Sequence, residues 1–326
     1  MKNTKKILCL VLAMIFAIGT LSLTSCGKAK YNVGVVQLVA HPALDAATEG
    51  FKQALIDEFG EDVNIDVQNA ANSTDTCATI VSTFVTKNVD LIMANATPAL
   101  QAAQAATETI PVLGTSVTEY GVALGIDNFS GTVGTNISGT SDLAPLDQQA
   151  QMILDIVPTA KKVAMLYCSA EPNSKYQVTE VTKVLAGKGI ECQNFSFSDS
   201  NDVQLIAQNA ASWADAIYVP TDNTAASNAE AIWGAIADKK IPVIAGEEGI
   251  CKGTGVATLS INYYDLGYTT GQMAVKILKG EANVAEMAIA YTPEEKLAKK
   301  YNKDICQAIG IDTAALEAKG YVAIEK

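Results

Sequence analysis

Gly139-Thr-Ser-Asp-Leu-Ala-Pro145 is the stretch that decides the fold, because the chain before it and the chain after it carry the same series of apolar segments. Three positions recur across it at offsets of 130, 125 and 131 residues: Val33 as Val163, Asp90 as Asp215, and Ile110 as Ile241. A repeat of this length is a repeated domain rather than a solenoid unit. We therefore interpret Gly139–Pro145 as a connection between two similar lobes.

Strands and helices alternate on both sides of this connection. Continuous apolar runs such as Tyr31–Val39 and Val89–Asn95 are typical of parallel strands that are covered on both faces. Thr97-Pro98 has the residue types that begin a helix. The pattern also predicts a strand at Val122–Ile126. Such alternation indicates an α/β protein with parallel sheets and right-handed crossovers.

The N-terminus has the order of a secretory signal peptide over residues 1–25. Three lysines precede the apolar run Ile7–Ile18, which is too short to read well as a membrane-spanning helix. The segment ends in Leu-Thr-Ser-Cys26, which resembles the lipobox of bacterial lipoproteins, whose cysteine is acylated and becomes the mature N-terminus. We therefore expect an exported protein anchored to the extracytoplasmic face of the bacterial membrane by a lipid such as palmitate on Cys26, with residues 26–30 as a tether.

Length and charge limit the partners. The 326 residues exceed what one core usually supports, which agrees with two lobes. The formal net charge is −12, and removal of a leader that carries three lysines and no acid leaves −15. This charge disfavours nucleic acid and a polybasic membrane patch. The five cysteines after Cys26 lack metal-ligand spacing, and we interpret them as small buried residues without a disulfide framework.

The chain lacks the residue sets that most catalysis needs. His41 is the only histidine, so a serine or cysteine nucleophile has a single candidate base. There is no Gly-x-Ser-x-Gly elbow, no Walker A motif and no Gly-x-Gly-x-x-Gly after the first strand. Glu247-Glu248 has no calcium-loop spacing around it. We therefore expect no enzyme activity, no cofactor and no metal.

Polar residues instead follow the predicted strands, where ligands bind in parallel sheets. All 23 basic residues are lysine and none lies in these clusters, which excludes an arginine fork for a carboxylate or phosphate. Thr97 and Ser116 are well placed to hold a ligand carboxylate together with helix N-termini, and the carboxylates of Asp222, Glu247 and Asp142 suit an ammonium group. These groups favour a zwitterion or a neutral solute. The candidate ligand-binding residues are Gln37, His41, Leu44, Ala96, Thr97, Pro98, Ser116, Ser141, Asp142, Asn173, Ser174, Thr221, Asp222, Asn223 and Glu247.

Several blocks of sequence resemble one known family in the same order along the chain. They include Gln37-Leu-Val-Ala-His-Pro-Ala-Leu-Asp45, Ser141-Asp-Leu-Ala-Pro145 and Tyr218-Val-Pro-Thr-Asp-Asn-Thr224. The family is that of the tryptophan/tyrosine-type substrate-binding lipoproteins of ABC importers. The resemblance implies a type I periplasmic-binding-protein fold, in which two Rossmann-like lobes are joined by a three-crossing hinge.

The resemblance also implies domain bounds and partners. The N-terminal lobe is expected at residues 31–141 plus about 263–289, and the C-terminal lobe at residues 142–262 plus about 290–326. The protein is expected to be a monomer that closes its lobes on an apolar or aromatic amino acid and delivers it to an ABC permease. ATP hydrolysis then belongs to a separate subunit of the importer.

These implications assign roles to the strand-end residues. Asp222 is expected to meet the ligand ammonium with help from Glu247. Thr97, Ser116 and the amides after Pro98 are expected to receive the carboxylate. His41, Leu44 and Pro98 are candidates for the wall around the ligand side chain.

Other functions stay open at this point. The ligand of such a receptor is alternatively a nucleoside or a sugar. The protein is alternatively a sensor that signals to a membrane partner, or a structural or adhesive lipoprotein. A DNA-binding repressor is disfavoured because an export signal stands where its headpiece would be.

Overall fold

The computed structural model describes residues 29–325 and contains two lobes, each built around its own mainly parallel sheet. Apolar clusters lie on both faces of each sheet. Within residues 29–325, no helix is long and apolar enough to cross a membrane. The expected signal peptide, the acylated Cys26 and the first tether residues lie outside the described residues.

The first half of the chain forms the first lobe. Its strands are β1 (Tyr31–Gln37), β2 (Val63–Asn69), β3 (Leu91–Asn95), β4 (Val112–Val117) and β5 (Ile137–Ser141), and its helices are α1 (Pro42–Phe59), α2 (Thr74–Thr86), α3 (Thr97–Ala106) and α4 (Tyr120–Leu124). The strands are parallel in the order β2-β1-β3-β4-β5. β3, β4 and β5 are buried along their whole length, as a sheet covered on both faces requires.

The second lobe repeats this arrangement. Its helices are α5 (Leu146–Ile156), α6 (Pro172–Ala186), α7 (Val203–Trp213), α8 (Asn223–Ser227), α9 (Ala229–Ile236) and α10 (Glu248–Gly253), and its strands are β6 (Lys162–Cys168), β7 (Glu191–Phe197), β8 (Ala216–Val219), β9 (Val243–Ala245) and β10 (Ala257–Ser260). The strand order is β7-β6-β8-β9-β10. This is the order of the first lobe, so the repeat predicted from the sequence offsets is confirmed.

The C-terminal part of the chain is divided between the lobes. Its elements are α11 (Tyr263–Leu278), β11 (Ala290–Tyr291), β12 (Ala298–Tyr301), α12 (Lys303–Ile309), α13 (Thr313–Glu317) and β13 (Val322–Ala323). α11 packs on α1 so closely that a Cβ on Gly267 would lie 1.9 Å from the backbone oxygen of Ala47. β12 and β13 extend the second sheet, so this part of the C-terminal tail belongs to the second lobe.

Three segments cross between the sheets: residues 142–145, 261–262 and 292–297. The Tyr263 hydroxyl donates a hydrogen bond to Asp142 Oδ2 at 2.9 Å, which connects the first crossing to the start of α11, directly after the second crossing. Ala290 and Tyr291 pair with Thr140 and Ser141, so these two residues belong to the first sheet, although we expected the second lobe to resume at about residue 290.

Two sequence predictions of local structure are wrong. Val122–Ile126 was expected to be a strand, but α4 lies there because the Glu119 side chain accepts the amides of Gly121 and Val122 and so caps a helix.

Gly139–Ser141 was expected to be connection and is instead the end of β5. Its small polar residues fit a buried strand since a Cβ on Gly139 would lie 2.0 Å from Gly114 O, and since Thr140 Oγ1 lies 2.8 Å from Thr270 Oγ1. Only Asp142–Pro145 of the original stretch is a crossing.

Candidate ligand-binding cleft

The predicted site residues meet where the carboxyl ends of the two sheets face each other. Nearly all of them are buried, and Thr221 is half-buried. The lobes touch there directly: His41 Nε2 lies 3.3 Å from Asn223 Oδ1, and Asn72 Nδ2 donates to Thr224 Oγ1 at 3.2 Å. The cleft between the lobes is therefore closed.

In the first lobe, α1 and α3 begin at the cleft without side-chain caps. Their N-cap residues, His41 and Ala96, make no capping hydrogen bond, and a proline occupies the first turn of each helix. No described group accepts a hydrogen bond from the amides of Thr97 and Ala99. Free amides at a helix N-terminus attract anions.

The backbone of the first lobe is strained at the same edge. Ala96 has φ 93° and ψ 157°, and Ser116 has φ 53°. Both are non-glycine residues in conformations that such residues rarely adopt. Each lies at the end of a central strand, so the strain concentrates beside the uncapped end of α3.

In the second lobe, buried carboxylates occupy the corresponding positions. Asp222 accepts the Ala225 amide and the Cys168 amide, both at 2.7 Å. Glu247 accepts the Gly249 amide at 2.6 Å and also the Ile250 amide. These side chains cap α8 and α10, so both carboxylates serve the second lobe itself.

Burial sets the titration of these groups. Burial, reinforced by repulsion from Glu171, raises the pKa of Asp222 well above its ordinary value. Burial also raises the pKa of Glu247, and the hydrogen bonds that it accepts from the amides of Gly249 and Ile250 oppose this shift. The second lobe therefore presents an acidic, poorly solvated edge to the cleft.

Glu171 is a cleft residue that the sequence analysis missed. Its Oε2 accepts the amide and the Nδ2 of Asn223 at 3.0 and 2.7 Å, and its Oε1 accepts the amide and the hydroxyl of Thr224 at 2.8 and 2.9 Å. It therefore holds both residues of the second lobe that His41 and Asn72 contact. A strand-end position directly before Pro172 was the available signal.

Some predicted residues have their hydrogen-bonding capacity used inside the protein. Gln37 binds Asp45 and Thr48 within the first lobe. The Ser141 hydroxyl donates to Thr118 O, and Thr221 Oγ1 donates to Gly246 O. These three residues shape the cleft without offering it a free polar atom in the described structure.

Four other predicted residues each have a buried polar atom that is not used in a hydrogen bond inside the described part of the protein. His41 Nδ1, Ser116 Oγ, Asp142 Oδ1 and Asn173 Oδ1 are buried and have no hydrogen-bond partner among the described residues. A buried polar atom without a partner costs about 1–3 kcal/mol, and four of the eight such atoms among the described residues belong to these predicted site residues.

Asp142 differs from the other carboxylates because one oxygen is free. Its Oδ2 accepts the Tyr263 hydroxyl, whereas its Oδ1 has no described partner. Burial raises the pKa of Asp142 to about 6; the hydrogen bond from Tyr263 opposes this shift, and the charge of Glu247 adds to it. Asp142 therefore lies close enough to Glu247 to sense its charge.

The described residues contain no cluster of three or more His, Cys, Asp or Glu side chains that could hold a metal ion. The polar atoms of the cleft suit direct hydrogen bonding to an organic ligand.

Comparisons with known proteins agree with this geometry. A tyrosine-binding protein from Clostridioides difficile (strain R20291) is 33% identical to this chain over an alignment of 341 positions, gaps included, that covers 99% of this chain and 97% of that protein. A crystal structure of an ABC domain from Streptococcus pneumonia in complex with L-Trp is 31% identical, with a TM-score of 0.84, and the match covers 90% of this chain and 100% of that chain.

A ligand-free, open structure from Clostridium difficile, of a substrate binding protein with adhesive properties, is 38% identical with the same coverage of 90% and 100%. Its TM-score is lower, at 0.67. This chain is therefore more similar in shape to the tryptophan complex than to the open structure, although its sequence is more similar to that of the open structure. This similarity in shape agrees with the closed cleft described above.

The family model described as ABC transporter substrate binding protein matches residues 32–315, which is nearly all of the described chain. The chain belongs to the family of ABC transporter substrate binding proteins.

Proposed function

We propose that this protein binds an aromatic amino acid as a zwitterion between its lobes and delivers it to the permease of an ABC importer. The observation that carries the proposal is the set of four buried, unpartnered polar atoms in the closed cleft. Family membership and the ligands of two relatives, tyrosine and L-Trp, support the class of ligand.

Asp142 receives the ligand ammonium in this proposal. A buried carboxylate oxygen without a partner is the acceptor that a desolvated ammonium needs. The sequence analysis gave this role to Asp222, but both oxygens of Asp222 accept backbone amides of the second lobe. The structure therefore favours Asp142, with Glu247 adding negative charge nearby.

The ligand carboxylate lies at the N-terminus of α3. The free amides of Thr97 and Ala99 and the unpartnered Ser116 hydroxyl are donors from two adjacent strand ends of the first lobe. Leu44 and Pro98, which are buried and apolar, flank this end of the cleft. The two charges of the zwitterion are thus held by the first lobe and by the first crossing.

Binding then stabilises the closed form. Contacts made by both lobes exist only when the cleft is closed, so the ligand shifts the equilibrium between open and closed by its differential affinity. The permease would recognise the closed shape. We also propose that the chain is exported and anchored through a lipid on Cys26, as the Leu-Thr-Ser-Cys sequence indicates.

Thermal melts of the full chain against the twenty amino acids test the proposal. We expect Trp, Tyr or Phe at millimolar concentration to raise the Tm, because a ligand that binds only the folded state stabilises it by mass action. Aspartate and lysine serve as zwitterions without an aromatic ring. The proposal fails if no aromatic amino acid raises the Tm.

Cys26→Ser tests the anchor. We expect this variant to appear in the soluble fraction, whereas the unaltered chain sediments with membranes. Equal membrane association of the two would contradict the lipid anchor.

A further inference from the structure

The orientation of the Asn223 side chain is fixed by Glu171. A carboxylate only accepts hydrogen bonds, and Glu171 Oε2 lies 2.7 Å from Asn223 Nδ2. The amide nitrogen of Asn223 must therefore face Glu171. Its Oδ1 then faces His41 across the cleft.

This orientation fixes the tautomer of His41. Because Asn223 Oδ1 is an acceptor, His41 Nε2 carries the proton and donates to it at 3.3 Å. In the neutral imidazole, Nδ1 is then an acceptor. It is buried and has no partner among residues 29–325.

Asn173 adds a second acceptor of the same kind. Its Nδ2 donates to Thr221 O at 3.1 Å and to Glu171 Oε2 at 3.4 Å, so its Oδ1 is the free atom. Both free acceptors are thus connected through one oxygen of Glu171. This group, consisting of Glu171, Asn223, His41 and Asn173, is called the acceptor cluster below.

Two buried acceptors without donors call for a ligand that brings a donor. We propose that the acceptor cluster recognises an N–H or O–H group on the ligand side chain, so that tyrosine and tryptophan bind more tightly than phenylalanine. The inference rests on the proposed function, in which Asp142 takes the ammonium and the acceptor cluster is left for the side chain. The phenol and the indole each carry one donor, and the phenyl ring carries none.

Calorimetric titration of the full chain in detergent with Tyr, Trp, Phe and O-methyltyrosine tests the inference. We expect Phe and O-methyltyrosine to bind about 10- to 100-fold more weakly than Tyr, because each leaves buried acceptors unpaired. Affinities for Tyr and Phe within about threefold of each other overturn the inference but leave the proposed function intact. If no aromatic amino acid binds, both fail.

Two variants show that the acceptor cluster sets the preference. His41→Phe removes the Nδ1 acceptor and keeps an aromatic ring, so we expect the ratio of Tyr to Phe affinity to fall about 10-fold. Glu171→Gln releases the Asn223 amide, and we expect a similar fall. A purely structural role for Glu171 would weaken both ligands by the same factor, and this result would overturn its role as a positioning residue.

The matched control is Glu191→Gln, because Glu191 is exposed at the start of β7, on the edge of the sheet opposite the cleft. We expect its Tyr to Phe ratio to equal that of the unaltered chain. A changed ratio in this control would overturn the assignment of the preference to the acceptor cluster.

Discussion

The two lobes share one strand order but finish their cleft edges in different ways. In the first lobe, α1 and α3 each have a proline in the first turn and no side-chain cap. In the second lobe, Asp222 and Glu247 accept the first amides of α8 and α10, and Glu171 adds a third buried carboxylate. The duplicated fold therefore has one edge that attracts anions and one edge that is acidic.

The difference between the two edges supports the proposed binding mode, in which a symmetric architecture holds a zwitterion in one orientation. A zwitterion gains from free amides at one end and from an unpaired carboxylate at the other. The acidic groups of the second lobe are already engaged with backbone amides, so the carboxylate that remains available is Asp142 of the crossing. In this binding mode, the orientation of the ligand depends more on which carboxylate oxygens lack a partner than on how many carboxylates line the cleft.

Asp142→Asn has the largest expected effect on this comparison. It keeps the shape of the side chain and removes its charge, so we expect the affinity for the amino acid to fall about 100-fold, measured by calorimetric titration. Asp147→Asn is the control, because Asp147 is an exposed acid in the next helix. Unchanged affinity in Asp142→Asn would place the ammonium elsewhere.

The pH dependence is expected to be about 10-fold between pH 7 and pH 5. Burial raises the pKa of Asp142 to about 6, so at pH 5 the free protein holds a proton that must leave before an ammonium binds. Affinity is therefore full above pH 7 and falls as the pH drops through 6. Glu247 and Asp222 also have raised pKa values and add to the pH dependence of the affinity. The contribution of Asp142 is therefore measured as the difference between the pH profiles of the unaltered chain and of Asp142→Asn, and we expect the profile of the variant to be flatter. Identical profiles would contradict the assignment.

The sequence predicted the fold well because the fold depends on patterns that repeat. Apolar runs marked β1, β3 and β6, and Thr97-Pro98 marked the start of α3, as the structure confirms. β5 was missed because its residues are small and polar. Its burial depends on hydrogen bonds to distant partners, such as Ser138 Oγ to Met287 O, that no local pattern shows.

The sequence could also place polar residues near the cleft, but it could not say which atoms were free. Asp222 and Asp142 look alike in a list of strand-end acids. Their difference arises from the Cys168 amide, which lies 54 positions away from Asp222 along the chain, and from Tyr263 at the start of α11, which binds Asp142. Partners at such separations are set by topology, so the proposal that Asp142 rather than Asp222 receives the ammonium rests on the structure.

Asp222→Asn tests whether a capping carboxylate is structural. One of its two oxygens becomes an amide nitrogen facing a backbone N–H, so we expect the free energy of unfolding to fall by about 1 kcal/mol, measured by urea denaturation. Ligand affinity should change less than about threefold. A loss of affinity as large as that of Asp142→Asn would show that Asp222 also contacts the ligand, and the contrast between the two carboxylates would be wrong.

The smallest expected effect concerns the contact between the lobes away from the ligand. Asn72 Nδ2 donates to Thr224 Oγ1, a hydrogen bond that exists only when the cleft is closed. Asn72 has φ 64°, so Asn72→Gly removes the amide without backbone strain. We expect the closed form to lose part of its stability and the ligand to dissociate about threefold faster in stopped-flow measurements.

Asn88→Gly is the matched control for this variant, because Asn88 is an exposed asparagine with φ 50° that contacts only its own turn. It should leave the dissociation rate unchanged. Equal rates in Asn72→Gly and the unaltered chain would mean that this cross-lobe hydrogen bond does not stabilise closure. The closed cleft would then be stabilised by the ligand and by the contact between His41 and Asn223. Both of these residues belong to the acceptor cluster, so closure and recognition of the ligand side chain would depend on the same contact.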